Sequence, residues 1–220
     1  MVIRLKALDR KVLRDLGRLW AQAVAIALVL ACGVAIQILS TGAYRSLEET
    51  RAAYYDRFYF GDVFASLKRA PVALKTEIAA ISGVAAVQLR VRDSVVLDIE
   101  GMREPGTGMA LSVPDYHPAV VNRTFLRAGR LPEPGKADEV AINETFAKAH
   151  GFTAGSRFGA IINGRKRTLT VTGIALSPEF IYAMGPGDMV PDERRFGILF
   201  FSERTLSGLL DLEGAFNDVS

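Results

Sequence analysis

The sequence predicts an α+β protein: one N-terminal transmembrane helix with a stalk, then a ferredoxin-like (split β-α-β) lobe with an inserted β-rich lobe. Residues 19–39 contain no Asp, Glu, Lys, Arg or His. A helix of that length spans about 30 Å, the thickness of a bilayer's hydrocarbon core. Two β-α-β-like patterns, in residues 61–100 and 195–220, bracket a hairpin-rich middle at 101–194, and two such halves are the parts of a split β-α-β sheet.

The charge distribution predicts the orientation of the span. The net charge is +3, but residues 1–18 alone carry six basic and two acidic residues, so the remaining chain sums to −1. Basic residues directly before a span mark the cytoplasmic side, which places residues after about 40 in the periplasm or outside the cell. The same placement disfavours nucleic-acid binding. A cleaved signal peptide is also disfavoured, because its apolar region would be shorter.

The helices around the span have their own patterns. Residues 1–18 place Leu8, Val12 and Leu16 at helical spacing. This suits either an interfacial helix on anionic lipid or a plain cytoplasmic extension of the span. Residues 40–60 predict a helical stalk, in which an aromatic cluster seats the stalk on the outer domain. That cluster consists of Tyr54, Tyr55, Phe58, Tyr59 and Phe60. The single Cys32 lies in the span, so no intrachain disulfide can form.

The first part of the outer domain predicts a β-α-β unit. Residues 62–68 alternate like a half-buried strand, and Pro71 is placed to open a helix that Gly83 ends. Residues 84–100 predict a long strand or a hairpin with a turn near residues 92–94. Short strands are expected at residues 109–113 and near residues 125–126.

The remaining elements are signalled by caps and turns. Residues 139–143 predict a strand, and Asn143 is expected to cap a helix at 144–150 that Gly151 stops. Asn163-Gly164 predicts a hairpin between two alternating runs. A loop at 177–194 includes a helical piece at 178–184. Residues 196–201 predict a strand buried on both faces, followed by a helix that Ser202 caps.

The last predicted strand begins at Ala215 and is incomplete at Ser220, from which we expect the chain to be a fragment or a shortened relative of a longer protein.

No residue is predicted to be catalytic, to bind a cofactor or to hold a metal, so the chain is not expected to be an enzyme. The sequence has no GxxxxGK[ST], GxSxG or HExxH motif. His117 is interpreted as a surface histidine and His150 as the end of a helix. The basic triplet at residues 165–167 suits a solvated strand edge or, alternatively, a contact for an acidic partner.

A family pattern lies in residues 127–147. Gly129-Arg130-Leu131-Pro132, followed by Glu139-Val140-Ala141-Ile142, resembles the "GRxP…EVAI" region of bacterial ABC-transporter permeases of the FtsX/MacB-like type. The strand at 169–174 and the basic leader with its Ala-rich span resemble the same family, so the resemblance covers essentially the whole chain.

The resemblance implies a subunit of the bacterial inner (plasma) membrane with a MacB-like periplasmic core domain. Its implied partners are a cytoplasmic ABC ATPase, the lipid bilayer, a second permease copy, and a periplasmic adaptor or lipoprotein. It implies that helices relay ATP-driven closure to the outer domain for export or extraction of a substrate. This chain has one predicted span, where the family has about four.

Two other classes of protein are alternatives to a permease subunit. A single-span, membrane-anchored binding or adaptor module fits the same layout without further spans. A membrane-tethered hydrolase would need a nucleophile and base that the sequence does not bring together.

Overall fold

The computed structural model describes residues 7–185, 187 and 190–220. The predicted amphipathic segment therefore lies partly outside the described residues, as does a short part of the predicted loop at 177–194. The chain divides into two compact units, Met1–Ala53 and Tyr54–Ser220, called here the N-terminal unit and the C-terminal unit. The architecture is mixed α+β, with one long apolar helix near the N-terminus.

The N-terminal unit is helical. Helix α1 spans Ala7–Arg18, and helix α2 begins at Trp20 and continues to Phe58 in the C-terminal unit. At about 1.5 Å per residue, the 39 residues of α2 span about 58 Å, roughly twice the thickness of a hydrocarbon core. Of the described residues, only this helix is both long and apolar enough to cross a membrane. The helix predicted to continue through residues 40–58 is confirmed.

A three-stranded sheet in the C-terminal unit combines distant parts of the chain. Strands β1 (Ala65–Pro71) and β2 (Leu89–Arg90) flank β10 (Ala215–Val219), which is antiparallel to both. Helix α3 (Leu74–Ala79) connects β1 to β2. Because β10 lies between β1 and β2 and is antiparallel to both, β1 and β2 are parallel to each other.

A seven-stranded sheet contains the remaining strands, in the order β5-β8-β6-β9-β4-β3-β7. Their bounds are β3 Arg92–Asp98, β4 Gly106–Val113, β5 Phe125–Gly129, β6 Glu139–Asn143, β7 Arg157–Ile162, β8 Arg165–Leu176 and β9 Phe196–Ser202. Strand β8 also pairs with β7, so six of the strands form a closed ring of pairings and β5 lies outside it.

The core of this sheet lies on both sides of β9. Leu199 and Phe201 pack in a cluster with Phe146 of helix α4 (Glu144–His150) and Leu206 of helix α5 (Glu203–Leu209). Ile198 and Phe200, which alternate with them, pack in a second cluster. Every residue of β9 is buried, so the predicted strand with two buried faces is confirmed.

Several local predictions are confirmed. The strand at 139–143 and the helix at 144–150 have the predicted bounds, and Gly151 ends that helix in the left-handed conformation at φ 67°. Asn163 and Gly164 both have positive φ and join β7 to β8. The Ser202 hydroxyl accepts a hydrogen bond from the backbone N–H of Thr205 and caps α5.

Three predictions about individual residues and turns are wrong. Pro71 is the last residue of β1 rather than the start of a helix, because it is still paired with Ala215 of β10. Residues 84–100 form no hairpin, because β2 and β3 belong to different sheets. Asn143 occupies the cap position of α4, but its Oδ1 accepts a hydrogen bond from Ile198 N at 2.9 Å instead.

The predicted lobe boundaries also differ from the observed sheets. Strand β9 was expected to join the lobe of residues 61–100 and 195–220, yet it lies inside the seven-stranded sheet between β6 and β4. A strand with no exposed face needs neighbours on both edges and layers on both faces, which only the larger sheet supplies. The helical piece expected at 178–184 is a short 3-10 helix at Pro178–Phe180.

Candidate functional site

The sequence predicts no catalytic or metal residue, and both histidines have structural environments. His117 is exposed, with Nδ1 3.2 Å from the carbonyl oxygen of Pro118. His150 is the last residue of α4, and its Nε2 donates a hydrogen bond to the carbonyl oxygen of Arg194 at 2.8 Å. Within the described ranges, no three His, Cys, Asp or Glu side chains are grouped to hold a metal ion.

The end of α2 is capped by a loop of the C-terminal unit. Backbone N–H groups of Asn122 and Arg123 donate to the carbonyl oxygens of Tyr59 and Phe58 at 2.8 and 2.9 Å. Gly61 N donates to Oδ1 of Asn122 at 2.9 Å. Carbonyls at a helix C-terminus have no partner in the helix, so this loop satisfies groups that would otherwise need water.

Aromatic rings fix the same helix end. Phe58 packs edge-on against Phe125 of β5 with ring centroids 5.8 Å apart, and Tyr55 stacks on Phe60 at 4.5 Å. The Arg123 guanidinium lies 4.1 Å from the centroid of the Tyr59 ring. The predicted packing of the aromatic cluster against the outer domain is confirmed for Phe58 and Tyr59.

A cavity of about 590 Å³ lies beside this helix end. Its walls come from the segment after α2, from α3 and the extended chain before β2, from the loop at residues 120–121, and from the end of β10. They include Phe60, Val63, Ile81, Val87, Val121 and Val219. Among the described residues that line the cavity, Asp62 is the one charged side chain.

A buried group of charges joins the two sheets. Arg90 of β2 donates to Asp218 of β10 through Nε at 2.9 Å, and it also forms two hydrogen bonds with Glu179 from the segment after β8. Asp218 is fully buried and accepts from Arg92 of β3 at 3.1 Å and from Ser66 of β1 at 3.2 Å. One carboxylate thus receives donors from both sheets.

The charges in this group stabilise one another. Burial lowers the pKa of Arg90, but the hydrogen bond and charge of Glu179, followed by those of Asp218, outweigh burial and raise the pKa above its ordinary value. Arg90 therefore stays charged at any physiological pH. Asn217 adds two hydrogen bonds between uncharged groups beside these charges. Its side chain donates to the backbone carbonyl of Arg92 and accepts from the backbone N–H of Arg92.

The residues that carried the family resemblance form a structural clamp. Gly129 has φ +75°, and a Cβ there would lie 2.2 Å from the carbonyl oxygen of Thr172, so no larger residue fits. Arg130 makes two 2.7 Å hydrogen bonds to Glu139, whose carboxylate also accepts from Glu133 N. The hydrogen bond from Arg130 holds the pKa of Glu139 below its usual range. The motif ties β5 to β6 and β8.

The basic triplet lies at the start of β8. Lys166 Nζ is 2.5 Å from Asp98 Oδ2 of β3, and both side chains are more than half exposed. Lys166 therefore has an acidic partner within the chain, and the alternative of an external acidic partner stays a prediction for the other two residues.

The comparisons with known proteins found similar solved structures but no match by sequence. No family model matches the chain, and no curated protein matches it by sequence. The periplasmic region of MacB from Actinobacillus actinomycetemcomitans is similar with a TM-score of 0.38 and 12% identity, over 68% of this chain and 62% of that one. The chain thus spans less than two thirds of the MacB region.

A second neighbour is the extracellular domain of the noncanonic ABC-type transporter YknZ from Gram-positive bacteria. It has a TM-score of 0.43 and 9% identity, over 71% of this chain and 79% of that one. Because both TM-scores are below 0.5, the similarities support no statement about strand order, substrate or partners. The chain is similar to the MacB-like outer domains of ABC-type transporters, the group to which residues 127–147 pointed.

Proposed function

We propose that this chain is the N-terminal part of an ABC-transporter permease subunit of the bacterial inner membrane. In this proposal its N-terminus is cytoplasmic, and its C-terminal unit acts outside the membrane. A cytoplasmic ATPase partner hydrolyses ATP, and α2 transmits the resulting movement to the C-terminal unit for export or extraction of a substrate. Two copies of the permease act together. The three-stranded sheet would be part of a porter-like lobe.

One observation carries the proposal: α2 is continuous over Trp20–Phe58, and its last turn is capped and packed by the C-terminal unit. About 20 helical residues span the hydrocarbon core of a bilayer, so roughly half of α2 extends beyond it. A helix without a break transmits rotation or displacement along its axis, whereas a flexible linker would absorb them. A simple anchor would need neither the additional length nor the capped end.

Co-purification tests the ATPase partner. The native protein, extracted from its own membranes in mild detergent, should carry a nucleotide-hydrolysing subunit. A preparation with intact membrane helices and no such subunit would contradict the proposal.

A helix break tests the coupling. Thr50 lies in the exposed part of α2, and its hydroxyl donates to Ser46 O at 2.7 Å. Thr50→Pro removes a helical hydrogen bond and introduces a clash, at a cost of about 3 kcal/mol. Thr50→Ala is the matched control. A spin label at Tyr116→Cys, in a Cys32→Ala background, reports on the C-terminal unit, because Tyr116 is 81% exposed.

We expect a non-hydrolysable ATP analogue to change the spectrum of the label in the Thr50→Ala protein but not in the Thr50→Pro protein. The ATPase should co-purify with both. An equal response in the two variants would mean that the coupling does not run through α2.

The cavity favours a second candidate, a single-span membrane-anchored binding or adaptor module, because such a module would need a ligand site and no ATPase. An immunoblot of source membranes with an antibody against residues 60–220 separates the two. A band far above 23.9 kDa favours the permease, and a band near that mass favours the module.

A further inference from the structure

We infer that the cavity beside the end of α2 binds the aliphatic chain of an uncharged single-chain amphiphile. The inference does not rest on the permease proposal, because every wall residue belongs to the C-terminal unit.

The size and lining of the cavity indicate an aliphatic ligand. Its volume of about 590 Å³ is within the range of about 300–1,000 Å³ that small-molecule sites occupy. Val63 and Ile81 are 73% and 58% exposed in its walls, although both are large apolar side chains. Covering them with an aliphatic chain would remove this apolar surface from water.

Small residues keep the cavity open. Ala85 and Ala86 are exposed on one wall, where the extended chain leads to β2. Gly61, another wall residue, is buried, and a Cβ there would lie only 3.0 Å from Cγ1 of Val121. The Gly61 wall cannot accept a larger side chain without movement, whereas the alanine wall can.

The charge of the walls selects against anions. Of the wall residues that the structure describes, Asp62 is the one with a charged side chain, and a carboxylate close to it would be repelled. A free fatty acid is therefore disfavoured relative to its uncharged ester.

The experiment uses the full chain in phosphatidylcholine nanodiscs with 1-monooleoylglycerol that carries a diazirine in its acyl chain. After irradiation, cross-linked peptides are mapped by mass spectrometry. We expect cross-links within residues 59–63 and 81–87. Unlabelled monooleoylglycerol should compete for them at least tenfold better than oleate at pH 7.

Two variants and one control test the assignment. Ala85→Phe fills the cavity and should reduce the cross-link at least tenfold, and Ala86→Leu should reduce it less. Ala154→Phe, at an exposed alanine outside the cavity, is the matched control and should leave it unchanged.

Three results would overturn the inference. The first is cross-linking confined to residues 20–39, which would reflect bulk lipid. The second is a cross-link that Ala85→Phe and Ala86→Leu leave unchanged while circular dichroism shows both variants folded. The third is a variant that instead dissociates a larger complex on a native gel, which would make the cavity a protein contact.

Discussion

The seven-stranded sheet buries large apolar side chains, whereas the three-stranded sheet buries a group of charges. Phe200 and Phe201 of the larger sheet and Phe146 of α4, which packs on it, have no exposed surface. Among the described residues, the apolar cluster of the smaller sheet buries four side chains, Ala70, Val87, Leu89 and Phe216, and the central strand of that sheet carries the buried Asp218. The stability that comes from apolar burial changes little with pH and salt, whereas a buried group of charges depends on every one of its partners. The two sheets should therefore unfold under different conditions.

The largest effect is expected in the larger sheet. Phe201→Ala removes a fully buried ring from the main core and leaves a cavity, which should lower the free energy of unfolding by about 3–5 kcal/mol. Urea unfolding followed by near-UV circular dichroism measures this loss. Tyr116→Ala, at an exposed ring, should change stability by less than about 0.5 kcal/mol. Similar losses for both variants would contradict the assigned core.

The next effect separates the two sheets. Asp218→Asn leaves Arg90 buried with a weaker partner and should cost about 3 kcal/mol. Hydrogen exchange should show loss of protection in β1, β2 and β10, while β9 stays protected. The control Asp98→Asn breaks an exposed pair with Lys166 and should cost less than about 1 kcal/mol. Uniform loss of protection in both sheets would mean that they unfold as one unit.

A smaller effect is expected at the edge strand β5. Gly129→Ala places a Cβ against the Thr172 carbonyl and forces a positive φ, which should cost about 2 kcal/mol. Gly155→Ala is the control, since its φ is also positive but no atom lies within 4 Å of the new Cβ. It should cost about 1 kcal/mol. If thermal unfolding shows equal stability losses for Gly129→Ala and Gly155→Ala, the positive φ alone explains the need for glycine at residue 129. The close contact with the Thr172 carbonyl would then contribute nothing.

The smallest effect depends on pH. Arg130 lowers the pKa of Glu139 in the folded chain, relative to an unfolded value of about 4.3. Glu139 therefore contributes stability above about pH 4.3. That contribution is lost as the pH falls through the lower, folded pKa. The gap in urea midpoint between the native chain and Glu139→Gln should be largest at pH 7 and shrink at pH 3. A difference in urea midpoint that does not change with pH would contradict a stabilising ion pair between Arg130 and Glu139.

Structural features that depend on residues close together in the sequence were predicted well. Asn163-Gly164 and Gly151 each require a positive φ that few residues adopt, so the sequence marks these turns directly. Continuous apolar character marked the two buried faces of β9. The uninterrupted helix past residue 40 could also be predicted, because the stretch has no Pro and a single Gly.

Long-range partners could not be predicted. Arg90 binds Glu179 and Asp218, which lie 89 and 128 residues away, and no local pattern distinguishes these charges from solvated ones. The same reason explains the wrong lobe boundaries, since an apolar strand signals burial but not the sheet it joins. The cavity was also missed, because its small wall residues appear in the sequence as ordinary loop residues.

The position of β10 between β1 and β2 has a consequence for synthesis on the ribosome. Ser66 and Asp218, which are hydrogen-bonded across this sheet, are separated by 152 residues. At about 5–20 residues per second, β1 emerges roughly 8–30 s before its partner exists. An unpaired strand invites wrong partners, and β1 carries Lys68, Arg69 and Pro71, residue types that discourage aggregation. The nascent chain is thereby protected during the interval in which the sheet cannot form.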